Sequence, residues 1–194
     1  MQIIKKSSNG IQSLPLESML LAQRRIFLTG VITTESANTV LQQLLYLESE
    51  DDRDPVKLLI NSPGGEVGAG LMLYDQMKGM KLPVDIYCTE LCANMAAVLL
   101  AGGTHGHRFI LKHSKVKINE VLVSVSSGRI IGDALSVQRK AESIFETERT
   151  IVDLLSSDTG CHHKQIERLI SDNVLMNSEE AVNFGICDAI VDRV

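Results

Sequence analysis

The 194-residue chain has no tryptophan, and aromatic residues make up only 4% of it. Its core must therefore be built mainly from Leu, Ile, Val, Ala and Met. Positive charge is also scarce. The formal net charge of −5 leaves no basic face for a nucleic-acid backbone and argues against that class of partner. No run approaches the roughly 20 apolar residues of a membrane span. The longest candidate, Ala93 to Gly102, reads as a buried helix. The opening MQIIKKSSNG has two lysines but no apolar stretch behind them, so no signal peptide is expected. Only four cysteines occur: Cys88, Cys92, Cys161 and Cys187. Cys88 and Cys92 are close, but two further ligands at finger-like spacing are missing, which argues against a zinc site. The cysteines read as small buried apolar residues of a reducing compartment, and the chain is expected to be cytoplasmic.

What is present is an ordinary globular balance, 44% hydrophobic and 22% charged, in a length that fits one domain spanning 1–194. Ile26 to Ile32 is a short apolar run suited to a buried strand, with Gly30 allowing a bend. Glu35 to Glu50 has helical spacing, with Ala37, Val40, Leu41, Leu44, Leu45 and Leu47 on one side. The polar EDDRDP at 50–55 ends that helix as a loop. Val56 to Ile60 predicts a second buried strand, Val67 to Met80 a helix, and Val84 to Cys88 a third strand. A helix from about Ala93 to Ala101, a Gly-His loop and strands at Arg108–Leu111 and Lys115–Ile118 follow. Strands alternating with helices argue for a largely parallel sheet covered by helices. Ile131 to Leu155 predicts one long helix, closed by Ser157-Asp158-Thr159-Gly160 with the glycine as cap. A helix that long projects beyond a domain this small and hints at an oligomer.

The most specific feature is Asn61-Ser62-Pro63-Gly64-Gly65, which follows a buried strand. Two glycines after a proline let the backbone aim N–H groups at a neighbouring site without interference from Cβ. Such groups can hold a developing oxyanion, although the same turn also serves as a plain strand-to-helix connection. INSPGGEVGAGLMLYDQM (Ile60 to Met77) resembles the INSPGG segment of the proteolytic subunits of Clp proteases. RIFLTGVI, LLAGG at 99–103 and MNSEEAVNFGICDAIV (Met176 to Val191) agree with the family in order and spacing. The resemblance runs from about Arg25 to Val191. It implies a crotonase-like (ClpP-like) α/β fold of repeated ββα units. Preceding it is an N-terminal segment at 1–24, and within it lies a protruding strand–helix handle at about 119–156. It also implies seven-membered rings stacked in pairs around a chamber, an ATP-driven AAA+ unfoldase as partner, and neither cofactor nor metal.

The family's nucleophilic serine sits in an Ala-Ser-Met-Gly context, where this chain reads Ala93-Asn94-Met95-Ala96. The family histidine lies in Ile-His-Gln/Glu-Pro, where this chain has Ile118-Asn119-Glu120-Val121. Counting back from Met176-Asn177 places Asn173 at the family aspartate, with Asp172 one residue earlier. The oxyanion donors correspond to the N–H groups of Gly65 and Met95. The resemblance thus implies a retained scaffold whose three catalytic positions are all asparagine. An asparagine amide is no usable nucleophile and does not titrate in the working range. Ser62 and Ser114 are the serines nearest the motifs, Ser62 belongs to the turn, and no catalytic Ser–His pair presents itself among the five histidines.

Val121 to Gly132 is longer than many relatives have before the handle helix, and the family's proline after its histidine is absent. The leading expectation is a non-catalytic, ClpR-type subunit that shapes a chamber, docks an unfoldase or pairs with an active paralogue in a homo- or hetero-oligomeric ring. The alternatives are an active Clp-type serine endopeptidase with an unrecognised nucleophile, and a crotonase-like protein that binds an acyl or peptide carbonyl.

Overall fold

The computed structural model describes residues 1–7, 10–50, 54–119 and 134–194. The chain opens with strands β1 (Gln2–Ser7) and β2 (Gly10–Pro15), an antiparallel pair, and the short helix α1 (Leu16–Ala22). The sequence reading assigned no element here. Met1 is 87% and Ile4 71% exposed, so burial imposes no hydrophobic period at these two positions.

Next come β3 (Arg25–Thr29), α2 (Thr34–Glu50), β4 (Val56–Ser62), α3 (Val67–Gly79) and β5 (Val84–Ala93). The loop expected at 50–55 falls mostly on 51–53, outside the described residues. Helix α4 (Met95–Ala101) is followed by β6 (Arg108–Leu111) and β7 (Lys115–Lys117). The long helix α5 (Ala134–Thr159) leads to α6 (His163–Ser171), β8 (Leu175–Met176), α7 (Ser178–Asn183) and β9 (Ala189–Val191). Strands β3-β4-β5-β6-β9 pair in that order, all parallel, while β7 joins β5 in parallel and β8 antiparallel.

Two boundaries differ from expectation. Strand β5 does not stop at Cys88, because it changes neighbours. Its residues 86–88 pair with β6, and Leu91 to Ala93 pair with β7. A register shift in the pairing with β4, between Ile60 and Ser62, accompanies the change. Helix α4 accordingly begins at Met95 and not at Ala93. Helix α5 runs on through Thr159, past the expected end at Leu155, and its first expected turn, 131–133, lies outside the described residues. Its last turn is drawn inward by Asp158, which accepts hydrogen bonds from Tyr74 Oη (2.9 Å) and Lys78 Nζ (2.8 Å). Gly160, at φ 74°, then caps it, its N–H bonding Ser156 O at 3.0 Å. The handle strand and Val121 to Gly132 are also outside the described residues.

One sheet face is dry. Ile26, Leu28, Leu58, Ile60, Ile86 and Ile110 are all at most 1% exposed. From α2 they receive Ala37, Val40, Leu44 and Leu47, whereas Leu45, expected on that side, is 47% exposed. All seven residues of α4 are buried. On the other face the parallel register sets Phe27, Leu59, Tyr87 and Phe109 in one row across four strands, with Phe27 45% exposed. Of α5, Ile151, Val152 and Leu155 join the core, while Phe145 is 69% exposed.

Arg108 fastens the last strand. It donates to Asp188 through Nε and Nη2 and to the carbonyls of Ala101 and Asp158 through Nη1. Burial pushes the Asp188 carboxyl up, but the Arg108 side chain and backbone, with the Gly106 N–H, outweigh it and hold it below its ordinary value. Three cysteines, Cys88, Cys92 and Cys187, are buried as expected, and Cys161 is half-buried. Burial pushes the Cys187 thiol up to about 12.

Candidate active site

Where β4 ends, the Ser62 hydroxyl accepts the Gly64 N–H at 3.0 Å and stiffens the turn. Ile32 then stitches the turn from outside. Its N–H donates to Gly64 O and its carbonyl accepts the Glu66 N–H, both at 2.8 Å. Gly65 lies between those bonds with its own N–H left over. Glycine is required there, since an added Cβ would sit 2.0 Å from Ile32 O. At Gly64 (φ 90°) a Cβ would come within 2.7 Å of Ala93 O and 2.8 Å of Asn94 Cβ. The turn is thus pressed against the β5–α4 junction.

Asn94 forms that junction at φ 52° and ψ −121°, a conformation most side chains avoid. Its bonding compensates. The backbone N–H donates to Lys117 O at 2.8 Å, and the carbonyl accepts from Ala97 and Val98 at 2.9 and 3.1 Å. In the side chain, Nδ2 donates to Pro63 O (3.1 Å) and Oδ1 accepts the Asn119 N–H (3.0 Å). The strained elbow starts α4, so the Met95 N–H has no carbonyl one turn earlier to bond. Among the described residues no hydrogen bond uses the N–H of Gly65 or Met95.

These elements enclose a cavity of about 650 Å³. Val67, Val98, Ile118 and Ile151 form its apolar wall, and Asn94, Asn119 and the Pro63-Gly64-Gly65 turn its polar end. Thr33 and Glu66 also line it, and neither was anticipated from sequence. Glu66 Oε2 is taken up by the N–H (3.2 Å) and hydroxyl (2.7 Å) of Thr34. Among the described lining residues there is no histidine, lysine, cysteine or serine.

The Clp protease family profile matches residues 8–194. The chain belongs to the Clp protease family. Over 192 residues it is 35% identical to the ATP-dependent Clp protease proteolytic subunit 2 of Chlamydia abortus, covering 97% of this chain and 90% of that one. It is likewise 35% identical over 192 residues to proteolytic subunit 1 of Chlamydia felis, covering 97% and 91%. The chain is therefore a homologue of Clp proteolytic subunits. The crotonase-like α/β fold of the family is the parallel sheet with flanking helices described above.

In this Clp-family chain the expected site residues are partly brought together. Asn94 and Asn119 touch, and Gly65 and Met95 line the same cavity. Asn173 does not line it; it is exposed, at φ 53°, just after α6. Asp172 is the exposed C-cap of α6 and does not line it either. The β7–β8 register pairs Val116 with Met176 and Lys117 with Leu175, so continuing it two positions sets 173 opposite 119.

Against expectation, one serine does meet a histidine. Ser156 Oγ lies 3.3 Å from His163 Nδ1, and His163 Nε2 lies 2.8 Å from Asp153 Oδ1. Asp153 and Ser156 on α5 meet His163, the first residue of α6, across the Gly160 turn, and no local sequence pattern announces that meeting. The arrangement lacks the other parts of a hydrolytic site. The Ser156 proton goes to Cys161 O at 2.6 Å, Ser156 stands inside α5, where backbone N–H groups are already spent, and His163 and Asp153 are open to solvent.

Proposed function

We propose that this Clp-family chain is a non-catalytic, ClpR-type ring subunit. It is one domain over 1–194 that builds the wall of a proteolytic chamber in the cytoplasm. It works alongside an active paralogue and an ATP-driven unfoldase, in seven-membered rings that stack in pairs. The observation that carries this reading is Asn94. The residue on the strained elbow, beside two N–H groups without an acceptor among the described residues, is an amide bonded at both ends, where acyl transfer needs an activated hydroxyl or thiol. Asn119 beside it cannot accept and return a proton. Loss of a complete triad costs on the order of 10⁶ in turnover, leaving only the oxyanion hole and binding. Gly65 and Met95 are what remains of that kind here.

A fluorophosphonate probe, which needs an activated hydroxyl, tests the reading. The purified chain should stay unlabelled, Ser156 included, and short fluorogenic peptides should not be turned over. Stoichiometric labelling of any serine would overturn it.

A further inference from the structure

The Asn94 cavity offers more hydrogen-bonding capacity than a wall requires. The N–H groups of Gly65 and Met95 have no acceptor among the described residues. Asn119 Oδ1 is buried and has no donor among the described residues. A buried polar atom left in that state costs free energy, and such atoms in native proteins find a partner in protein, water or ligand. Two donors, one acceptor and the apolar wall of Val67, Val98, Ile118 and Ile151 are the complement of a peptide group with an aliphatic side chain. A carboxylate fits less well. It has no hydrogen to give Oδ1, no cation lines the described cavity, and Glu66 stands at it.

We propose that Asn119 is a ligand-binding residue, whose Oδ1 accepts a backbone N–H of a neutral, extended peptide that is held in the cavity and not cut. The peptide's carbonyl takes the Gly65 and Met95 N–H groups, and an aliphatic side chain fills the apolar end. Asn94 is a positioning residue: its Oδ1 fixes the Asn119 N–H at 3.0 Å. The last torsion of Asn119 stays soft enough for the amide oxygen to turn toward the ligand. This proposal rests on the reading of the site as inert.

The test uses the full chain and fluorophore-labelled hexapeptides with a central leucine, capped at both ends, followed by fluorescence anisotropy and mass spectrometry. One comparison peptide ends in a free carboxylate just after the leucine. A series carries a single N-methyl group at each backbone amide in turn. The capped peptide should bind and be recovered whole, and the carboxylate peptide should bind more weakly. N-methylation at one position should cost about tenfold, the range expected for losing a hydrogen bond to a buried group. In Asn119→Leu that positional penalty should vanish. Absence of binding, a flat N-methyl series or tighter binding of the carboxylate would overturn the proposal. Cleavage would overturn the inert reading instead, and the N-methyl series would still judge Asn119. Should Asn119→Leu fail to fold, the series on the unaltered chain decides alone.

Discussion

An asparagine side chain carries a donor and an acceptor on one planar group, and at Asn94 both are spent on holding two loops together, Pro63 on one side and residue 119 on the other. A serine has both functions on a single atom one bond from Cβ, so it cannot reach to both sides as the planar amide does. Repair therefore needs more than a nucleophile. Asn94→Ser alone should leave peptidase activity near background, because an unassisted hydroxyl lacks its base and triad members act as a unit. Asn94→Ser, Asn119→His and Asn173→Asp together should give measurable turnover of short fluorogenic peptides. Position 173 lies outside the cavity lining, in the turn that leads into β8, the strand paired with β7 just before 119. That is where a carboxylate would orient an imidazole without meeting substrate. A folded triple variant with no turnover would show that 94, 119 and 173 are not within reach of one another.

At the level of elements, the site depends on the turn between β4 and α3 more than on any helix. Gly65→Ala would drive a methyl group into Ile32 O. The expected cost is about 1–3 kcal/mol, read as a lower unfolding midpoint in urea, whereas Gly68→Ala, which meets nothing within 4 Å, should be nearly silent. The same contrast shows what sequence could reveal. Strands β3 to β6 and helices α2 to α4 declared themselves because each buries a face, and burial imposes a period. The turn and the elbow declared themselves through Pro63, Gly64 and Gly65 and through family resemblance. The β1–β2 pair did not; Met1 and Ile4 beside it are exposed, so burial imposes no period on them. Thr33, Glu66 and the contact of Ser156 with His163 depend on how separate segments meet, and no local pattern encodes that.

For the whole molecule, Phe27, Leu45, Tyr46 and Phe145, all exposed, are apolar surface that a partner is expected to cover. Size-exclusion chromatography with light scattering should find rings at micromolar concentration; monomer alone would defeat that expectation. Acid should act through Asp188. Its carboxyl titrates below the ordinary 3.8 in the folded state, so its contribution is complete above that value and is lost as pH falls through the folded one. Asp188→Asn should flatten that part of the acid limb. At neutral pH it should cost about 3–5 kcal/mol, because it leaves the Arg108 guanidinium buried without its counter-charge. A variant as stable as the parent at neutral pH would show that Arg108 is satisfied by the carbonyls alone. This clasp also bears on how the chain is made. Arg108 and Asp188 are 80 positions apart, so on the ribosome β6 waits with an open edge and an unanswered charge until Asp188 emerges. Every nascent chain passes through that interval with the edge open, and a message cut short before codon 188 yields a product that cannot close it.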